Sequence, residues 1–206
     1  MPTTTIYIVR HGQSEANVSG VFSGHSDPRL TALGRTQASA VAERLSRERV
    51  HRVVSSDLAR ARETAAPIAA SLGLPADADA RFREMHYGEW EGKTQEVITA
   101  EYGTEWEALT KPTADFRAPG GESLQELRER VHDGYLDVVR AHPDETVVVV
   151  AHGNAIQMLL GALLGLPYEN SWRFQLHNTG ITLIRDFDET PVVVQVNDTS
   201  HLLSLE

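Results

Sequence analysis

Apolar residues along the chain fall into two kinds of run, and these predict strands and helices in alternation. Short β-branched runs predict five strands, at residues 6–9, 52–55, 146–151, 181–185 and 192–196. The third run is apolar at every position rather than at alternate ones, which is typical of a central strand covered on both faces. The last two runs are separated only by DFDETP and predict a hairpin at a sheet edge.

Apolar residues spaced three and four positions apart predict four helices between these strands. Thr31 is the expected N-cap of the first. The second spans residues 58–72 and contains Pro67, which we expect to kink or interrupt it. Ser123 and Glu126 have the spacing of a capping box and begin the third, and the fourth is the segment NAIQMLLGALLG.

Strands that alternate with helices predict an α/β fold with a mostly parallel sheet. We expect a three-layer α/β/α sandwich, with helices on both faces of the sheet and one antiparallel edge strand. The length of 206 residues fits a single domain. Residues 88–122 break the alternation and hold two of the three tryptophans, so they predict a helical insertion that lies over the candidate site.

The composition removes several classes of function. The chain has no cysteine, which excludes disulfides, thiolate metal sites and a cysteine nucleophile. It shows no leader-like start and no run of about 18 apolar residues, so we expect a cytoplasmic protein with no membrane partner. A net charge of −10 opposes binding to nucleic acid, so an anionic ligand needs locally clustered cations. A homodimer is compatible with these features.

Polar residues, several of them cationic, directly follow three of the predicted strands. Arg10 and His11 follow the first, residues 55–57 the second and residues 152–154 the third, while Arg60 lies in the first turn of the next helix. Open α/β sheets bind ligands beyond the carboxyl ends of their strands, where helix N-termini also favour anions. Two guanidinium groups and two imidazoles would repel one another there without an oxyanion between them. The pattern therefore predicts a phosphate site.

Two further features bear on the chemistry of this cluster. Gly12 ends the triplet RHG, and we expect its missing Cβ to let the backbone approach the phosphate. The segment REMHYGEWEG offers Glu84, Glu89 and Glu91 as proton donors, and the residues alone do not rank them. Glu84 is equally a candidate for an ion pair with Arg83 or Arg81.

Seven motifs together resemble the histidine phosphatase superfamily, which includes the cofactor-dependent phosphoglycerate mutases and many phosphatases. The first, VRHGQSEAN, looks like the signature of that superfamily. The others follow in the order and approximate spacing of the family: GHSDPRLTALGRTQA, SSDLARARETA, REMHYGEWEG, GGES, VVVVAHGNAI and HNTGITLI. The first six cover roughly the first 160 residues.

The resemblance implies a site in which a histidine carries the phosphoryl group. His11 is the implied nucleophile, which forms a phosphohistidine, and Glu84 is the implied proton donor. Arg10, Arg60 and His152 are implied to clamp the phosphoryl oxygens. A neutral imidazole suits this role, because its ordinary pKa of about 6.5 leaves it a nucleophile near pH 7. The remaining expected substrate or phosphate contacts are Asn17, Ser23, Gly24, Tyr87 and Gly153.

Within this resemblance we favour a phosphatase that hydrolyses a small-molecule phosphomonoester. The alternative is a 2,3-bisphosphoglycerate-dependent phosphoglycerate mutase. Such mutases hold the substrate carboxylate with an arginine after the acid, a lysine and paired arginines. Met85, Gln95 and a solitary Arg117 stand at those places here. A non-catalytic sensor of phospho-ligands is a third hypothesis, which the presence of both His11 and Glu84 disfavours.

The sequence offers no pattern for a metal ion or a nucleoside triphosphate. No two of the nine histidines stand three or four positions apart, and neither HExxH nor a P-loop occurs. We therefore predict a site without metal and a reaction without a cofactor. Only the mutase alternative would require 2,3-bisphosphoglycerate.

Overall fold

The computed structural model describes residues 1–203 and residue 205 of the chain. Its strands are β1 (Thr3–Arg10), β2 (Arg52–Ser55), β3 (Ala76–Ala78), β4 (Thr146–Ala151), β5 (Ile181–Phe187) and β6 (Pro191–Asp198). They form one six-stranded sheet in the order β3-β2-β4-β1-β5-β6. Strands β1 to β4 are parallel, and β5 pairs antiparallel with β1 on one side and with β6 on the other. The predicted mostly parallel sheet, with an antiparallel hairpin at its edge, is confirmed.

Two separate cores lie on opposite faces of the sheet, because neighbouring residues of a strand point to opposite sides. Within the described residues the helices are α1 (Glu15–Ser19), α2 (Ala32–Leu45), α3 (Ala59–Leu72), α4 (Gln95–Glu101), α5 (Gly103–Leu109), α6 (Leu124–Ala141), α7 (Gly153–Leu163) and α8 (Tyr168–Ser171). Ile8 and Val149 pack with the buried residues of α6 and α7. Val9 and Val150 pack with those of α2 and α3. The three-layer α/β/α sandwich is therefore confirmed.

The hairpin of β5 and β6 turns where the sequence predicts it. Asp188 and Glu189 both have positive φ, at 55° and 62°. Two successive residues with positive φ form the type of two-residue turn whose twist matches that of the paired strands in a β-hairpin. Short polar side chains such as aspartate tolerate this backbone better than β-branched ones do.

Helix α3 differs from its prediction, because Pro67 does not interrupt it. The helix continues from Ala59 to Leu72 with the proline inside. Ala65, Ile68 and Ala69 flank Pro67 and are at most 5% exposed against the sheet. Apolar burial on both sides of the proline offsets the one backbone hydrogen bond that it cannot donate.

Residues 88–122 contain the two short helices α4 and α5, and aromatic packing ties this segment to the sheet. Trp90 is fully buried and lies 5.9 Å from Trp106 between ring centroids. Phe22 packs edge-on against both tryptophans, at 6.0 and 6.2 Å. Since Phe22 also lines the cleft described below, this segment supports one wall of that cleft. No helix among the residues described here is long and apolar enough to cross a bilayer.

Candidate active site

The carboxyl ends of three neighbouring strands bring the predicted cluster together. Arg10 ends β1 and pairs with Ala151 at the end of β4, so His11 and His152 emerge side by side. Their ring centroids are 5.0 Å apart. Arg60 enters from the first turn of α3 and is fully buried, as is His152, while His11 is 4% exposed. The structure thus brings together the four residues of the predicted cluster, three at strand ends and Arg60 from the helix.

The ring of His11 is oriented by its own neighbour along the chain. Nδ1 lies 2.7 Å from the carbonyl oxygen of Gly12. Because a carbonyl oxygen only accepts, Nδ1 carries the proton, and the Nε2 lone pair is left free. Burial, followed by the positive charges of Arg10 and Arg60, holds the pKa of His11 well below its usual value of 6.5. His11 is therefore neutral at pH 7, with Nε2 available as a nucleophile.

His152 makes a hydrogen bond through each ring nitrogen. The Nε–H of Arg60 donates to His152 Nδ1 at 3.2 Å, so the neutral ring carries its proton on Nε2. That Nε2 lies 2.8 Å from the hydroxyl oxygen of Ser56, which accepts the bond. Burial, followed by the charge of Arg60, holds the pKa of His152 well below its usual value. His152 therefore orients Arg60, and its predicted contact with a phosphoryl oxygen stays a prediction.

The loop at Ser23 and Gly24 holds the other side of Arg60. The guanidinium donates to the carbonyl oxygens of Gly24, at 2.7 Å, and of Ser26, at 2.9 Å. Gly24 has a φ of +43° and lies against Glu91, whose carboxylate accepts from the backbone N–H of Ser26 at 2.7 Å. Ser23 lines the cleft itself. Gly24 thus acts beneath the cleft through its carbonyl oxygen rather than in its wall.

Arg10 lines the cleft and has a buried donor that no protein group satisfies among the described residues. Its Nη1 donates to the carbonyl oxygen of Leu176 at 2.6 Å, which fixes the guanidinium plane. Its Nε is buried and has no hydrogen-bond partner among the described residues. A buried charged donor without a partner is costly, and a phosphoryl oxygen would satisfy it with a strong charge-assisted bond.

Glu84 lies at the N-terminus of α7 and is held there by three backbone N–H groups. Met85 donates to Oε1 at 2.9 Å and Ala155 does so at 3.2 Å, while Asn154 donates to Oε2 at 3.2 Å. Neither predicted ion pair forms, since Arg83 pairs with Asp57 and Arg81 with Asp79 and Asp137. The carboxyl group is therefore fixed by backbone donors at the mouth of the cleft.

Asn17 completes the side of the cleft that adjoins α1. Its Oδ1 accepts from the backbone N–H of Ser14 at 3.0 Å and from Nδ2 of Asn178 at 3.2 Å. Asn178 Nδ2 also donates to the carbonyl oxygen of His11 at 2.9 Å. Nδ2 of Asn17 has no acceptor among the residues that the structure describes, so it is free to donate into the cleft that it lines.

A cleft of about 280 Å³ adjoins this cluster. Arg10 lies in its wall, whereas His11, Arg60 and His152 are not among the residues that line it. The predicted contacts in its wall are Arg10, Asn17, Ser23, Glu84, Tyr87 and Gly153. A Cβ added at Gly153 would lie 3.7 Å from both Arg10 Nε and Glu84 Oε2, so this glycine faces the two charged groups at ordinary contact distance.

Gly12 has a different reason for being glycine than the predicted one. A Cβ at this position would lie 2.5 Å from the carbonyl oxygen of Gly34 in α2. The missing side chain therefore lets α2 approach β1, and the prediction that it makes room for phosphate is wrong. The backbone N–H of Gly12 donates to Thr64 in α3 at 3.0 Å, which adds a second helix to the same packing.

Two residues that the sequence analysis missed hold the backbone around Glu84. Arg130 on α6 donates to the carbonyl oxygens of Arg81, Arg83 and Glu84, each at 2.8 Å. It also pairs with Glu122, whose Oε1 lies 2.6 Å from its Nη2 and accepts from the N–H of His86 at 2.7 Å. The acceptors are main-chain atoms some 46 residues away, so no local sequence pattern predicts these hydrogen bonds.

The fold and the site define a class of protein: an α/β sandwich with a buried cluster of two arginines and two histidines at its carboxyl edge. A family model described as the histidine phosphatase superfamily (branch 1) matches residues 6–199. This chain belongs to the histidine phosphatase superfamily.

Similar proteins carry the names of both phosphatases and mutases. A protein named "Probable phosphoglycerate mutase GpmB" from Salmonella choleraesuis (strain SC-B67) is 36% identical over 203 residues, which cover 96% of this chain and 94% of that protein. The structure of Bacillus stearothermophilus YhfR has a TM-score of 0.92 at 30% identity and covers 97% of this chain and 99% of its own. Mycobacterial glucosyl-3-phosphoglycerate phosphatase in complex with VO3 has a TM-score of 0.87 at 34% identity, with coverages of 95% and 99%.

Proposed function

We propose that the protein hydrolyses a small-molecule phosphomonoester through a phosphohistidine on His11. The orientation of His11 carries this proposal, because the bond from Nδ1 to the Gly12 carbonyl oxygen leaves Nε2 as a neutral nucleophile. Burial, followed by the charges of Arg10 and Arg60, lowers the pKa of His11, so both guanidinium groups lie close enough to the nucleophile to bind a phosphoryl group on it. The structure of the mycobacterial phosphatase supports the same reaction class.

The reaction proceeds in two balanced steps. Nε2 of His11 attacks phosphorus, the N–P bond forms as the ester P–O bond breaks, and Glu84 gives its proton to the leaving oxygen. Water then attacks phosphorus, Glu84 takes a proton from that water, and the electron pair of the breaking N–P bond returns to Nε2. Arg10 and Arg60 offset the charge on the equatorial oxygens, which is where phosphoryl transfer concentrates it.

The test of this proposal is covalent labelling during turnover. With a ³²P-labelled phosphomonoester, label that is stable to base and labile to acid should appear on the wild type and vanish in His11→Ala. Activity should persist in excess EDTA, because the cationic side chains supply the charge that magnesium supplies elsewhere. Full activity of His11→Ala would refute the nucleophile, and loss of activity restored only by a divalent ion would refute the mechanism.

The names of the similar curated proteins favour a second candidate, a phosphoglycerate mutase. The cationic clamp that such mutases use is absent from the cleft wall within the described residues. Met85 is fully buried, Gln95 is exposed at the start of α4, and Arg117 lies on the surface beside Glu126. Rapid interconversion of 3- and 2-phosphoglycerate with 2,3-bisphosphoglycerate present, with little phosphate released, would decide for the mutase.

A further inference from the structure

The wall of the cleft beyond its phosphate end is polar but almost uncharged. Arg10 is the one cationic side chain in that wall among the residues that the structure describes, and the proposed reaction already uses it. Asn17, Ser23, Asn154 and Gln157 provide amide and hydroxyl groups. Such groups recognise neutral hydroxyls, whereas a carboxylate in this position would lack a charged partner.

Gln157 carries an acceptor that the protein leaves unsatisfied. Its Nε2 donates to the carbonyl oxygen of Phe174 at 2.8 Å, which fixes the orientation of the amide. Rotating the amide by half a turn would set two carbonyl oxygens against each other. Oε1 is buried as well, and this orientation leaves it without a hydrogen-bond donor from any described residue. A buried acceptor of this kind is costly until a hydroxyl or N–H group reaches it.

The position of Gln157 relative to Glu84 indicates which part of a substrate would reach it. Glu84 is bound to the N–H groups of Asn154 and Ala155 in the first turn of α7. Gln157 lies three residues after Asn154, and both line the cleft, so they share one face of the helix. Three residues of helix rise about 4.5 Å, so a hydroxyl roughly two or three carbons from the ester oxygen spans this distance.

Tyr87 also lines the cleft and presents a complementary donor beside Asn154. Nδ2 of Asn154 donates to its phenol oxygen, which leaves the phenol O–H free to donate into the cleft. Burial, followed by the charges of Glu84 and Glu122, raises the pKa of Tyr87 well above its usual value, so the O–H persists at neutral pH. Phe22 packs edge-on against Tyr87 at 4.9 Å and offers an apolar surface to the carbon skeleton.

We propose that the cleft takes the phosphomonoester of a neutral polyhydroxylic alcohol, a polyol or a sugar, and that Gln157 Oε1 accepts a hydrogen bond from one of its hydroxyls. This inference rests on the proposed phosphatase function. Gln157 is then a specificity-determining residue for the alcohol, and Glu84 and His11 act on any ester that fits.

Glycerol 3-phosphate and propyl phosphate form a matched pair of probes, because they share the chain length and differ in the hydroxyls. In the wild type we expect kcat/KM to be about tenfold or more higher for glycerol 3-phosphate. Gln157→Leu should lower this value to that of propyl phosphate and leave propyl phosphate unchanged. Gln157→Met, which retains the side-chain length, should behave alike. The control Gln125→Leu alters an exposed glutamine paired with Glu129 and should change neither substrate.

The outcomes separate this inference from the function on which it rests. Hydrolysis of neither ester, nor of p-nitrophenyl phosphate, would refute the phosphatase. Equal rates on the two esters, or an equal loss on both in the Gln157 variants, would refute the role of Gln157 and leave the phosphatase standing. A higher kcat/KM for 3-phosphoglycerate than for glycerol 3-phosphate would refute the neutral substrate, because it would mean that the carboxylate finds a cation.

Discussion

Replacing Arg130 by methionine should lower the stability of the fold and slow the proton donation that we propose for Glu84. The ion pair between Arg130 and Glu122 is mostly buried, because the two side chains are only 20% and 14% exposed. Removing one partner from a buried pair costs about 3–5 kcal/mol, because the other charge stays buried alone. The three carbonyl oxygens around Glu84 would lose their donor in the same change.

The matched control is Arg117→Met, which removes a surface ion pair. Arg117 and Glu126 are 52% and 53% exposed and 3.4 Å apart, so this pair contributes at most about 1 kcal/mol. Urea unfolding measures the difference directly as a shift of the midpoint at constant m-value. Arg130→Lys retains the charge but not the five-donor fork, and should fall between the wild type and Arg130→Met.

The kinetic part of this prediction depends on the leaving group. If Arg130 and Glu122 fix the backbone of Glu84, Arg130→Met should slow hydrolysis of an alkyl phosphate by about tenfold to a hundredfold. Hydrolysis of p-nitrophenyl phosphate should change little, because p-nitrophenolate leaves without a proton. A midpoint equal to that of Arg117→Met, or equal losses on both substrates, would show that Arg130 does not position Glu84.

Three further predictions concern stability. Burial keeps His152 neutral in the fold, so the unfolded state binds a proton at this residue first as the pH falls below about 6.5. The free energy of unfolding should therefore decline by about 1.4 kcal/mol per pH unit on account of His152. His152→Asn should reduce this decline in urea unfolding measured across the pH range. Gly12→Ala should cost about 1–3 kcal/mol by overpacking against α2, whereas Gly103→Ala, where a Cβ meets nothing within 4 Å, should be near neutral in the same assay. Tyr135→Phe should cost about 1–3 kcal/mol, because Asp186, 1% exposed, loses its 2.6 Å bond; a midpoint within 0.3 M of the wild type's would contradict the buried-bond argument.

The sequence predicts the strand ends well for a physical reason. Buried parallel strands require unbroken apolar runs, so the polar residues at their ends, such as Arg10 and His152, mark the sheet edge in the sequence itself. Strand β3 gives no such signal, because its three residues Ala76–Ala78 are all exposed. The predicted interruption at Pro67 is wrong, because the local propensity of proline predicts a break in the helix that tertiary packing prevents.

The parts of the site that the sequence does not predict are those built on the main chain. Arg130 and Glu122 act on backbone carbonyl and N–H groups, which every residue carries alike, so no spacing of residue types indicates the contact. Ser56 lies in a predicted strand-end segment, yet only the geometry shows that it accepts from His152. Gly12 stands out in the sequence, but the neighbour whose close approach requires a glycine there, Gly34 in α2, is known only from the fold.

The position of β1 in the sheet bears on the order in which this protein can fold. Although β1 comes first in the chain, its two partners are β4, with Thr5 opposite Thr146, and β5, with Ile6 opposite Ile184. Closing such long loops is entropically costly, and folds dominated by distant pairings fold slowly. During synthesis, β1 therefore cannot pair with β4 and β5, and Arg10 and His11 cannot take their places in the site, until most of the chain has been made. Recovery of the proposed phosphatase activity during refolding should accordingly be among the last signals to return, later than the helical circular dichroism signal.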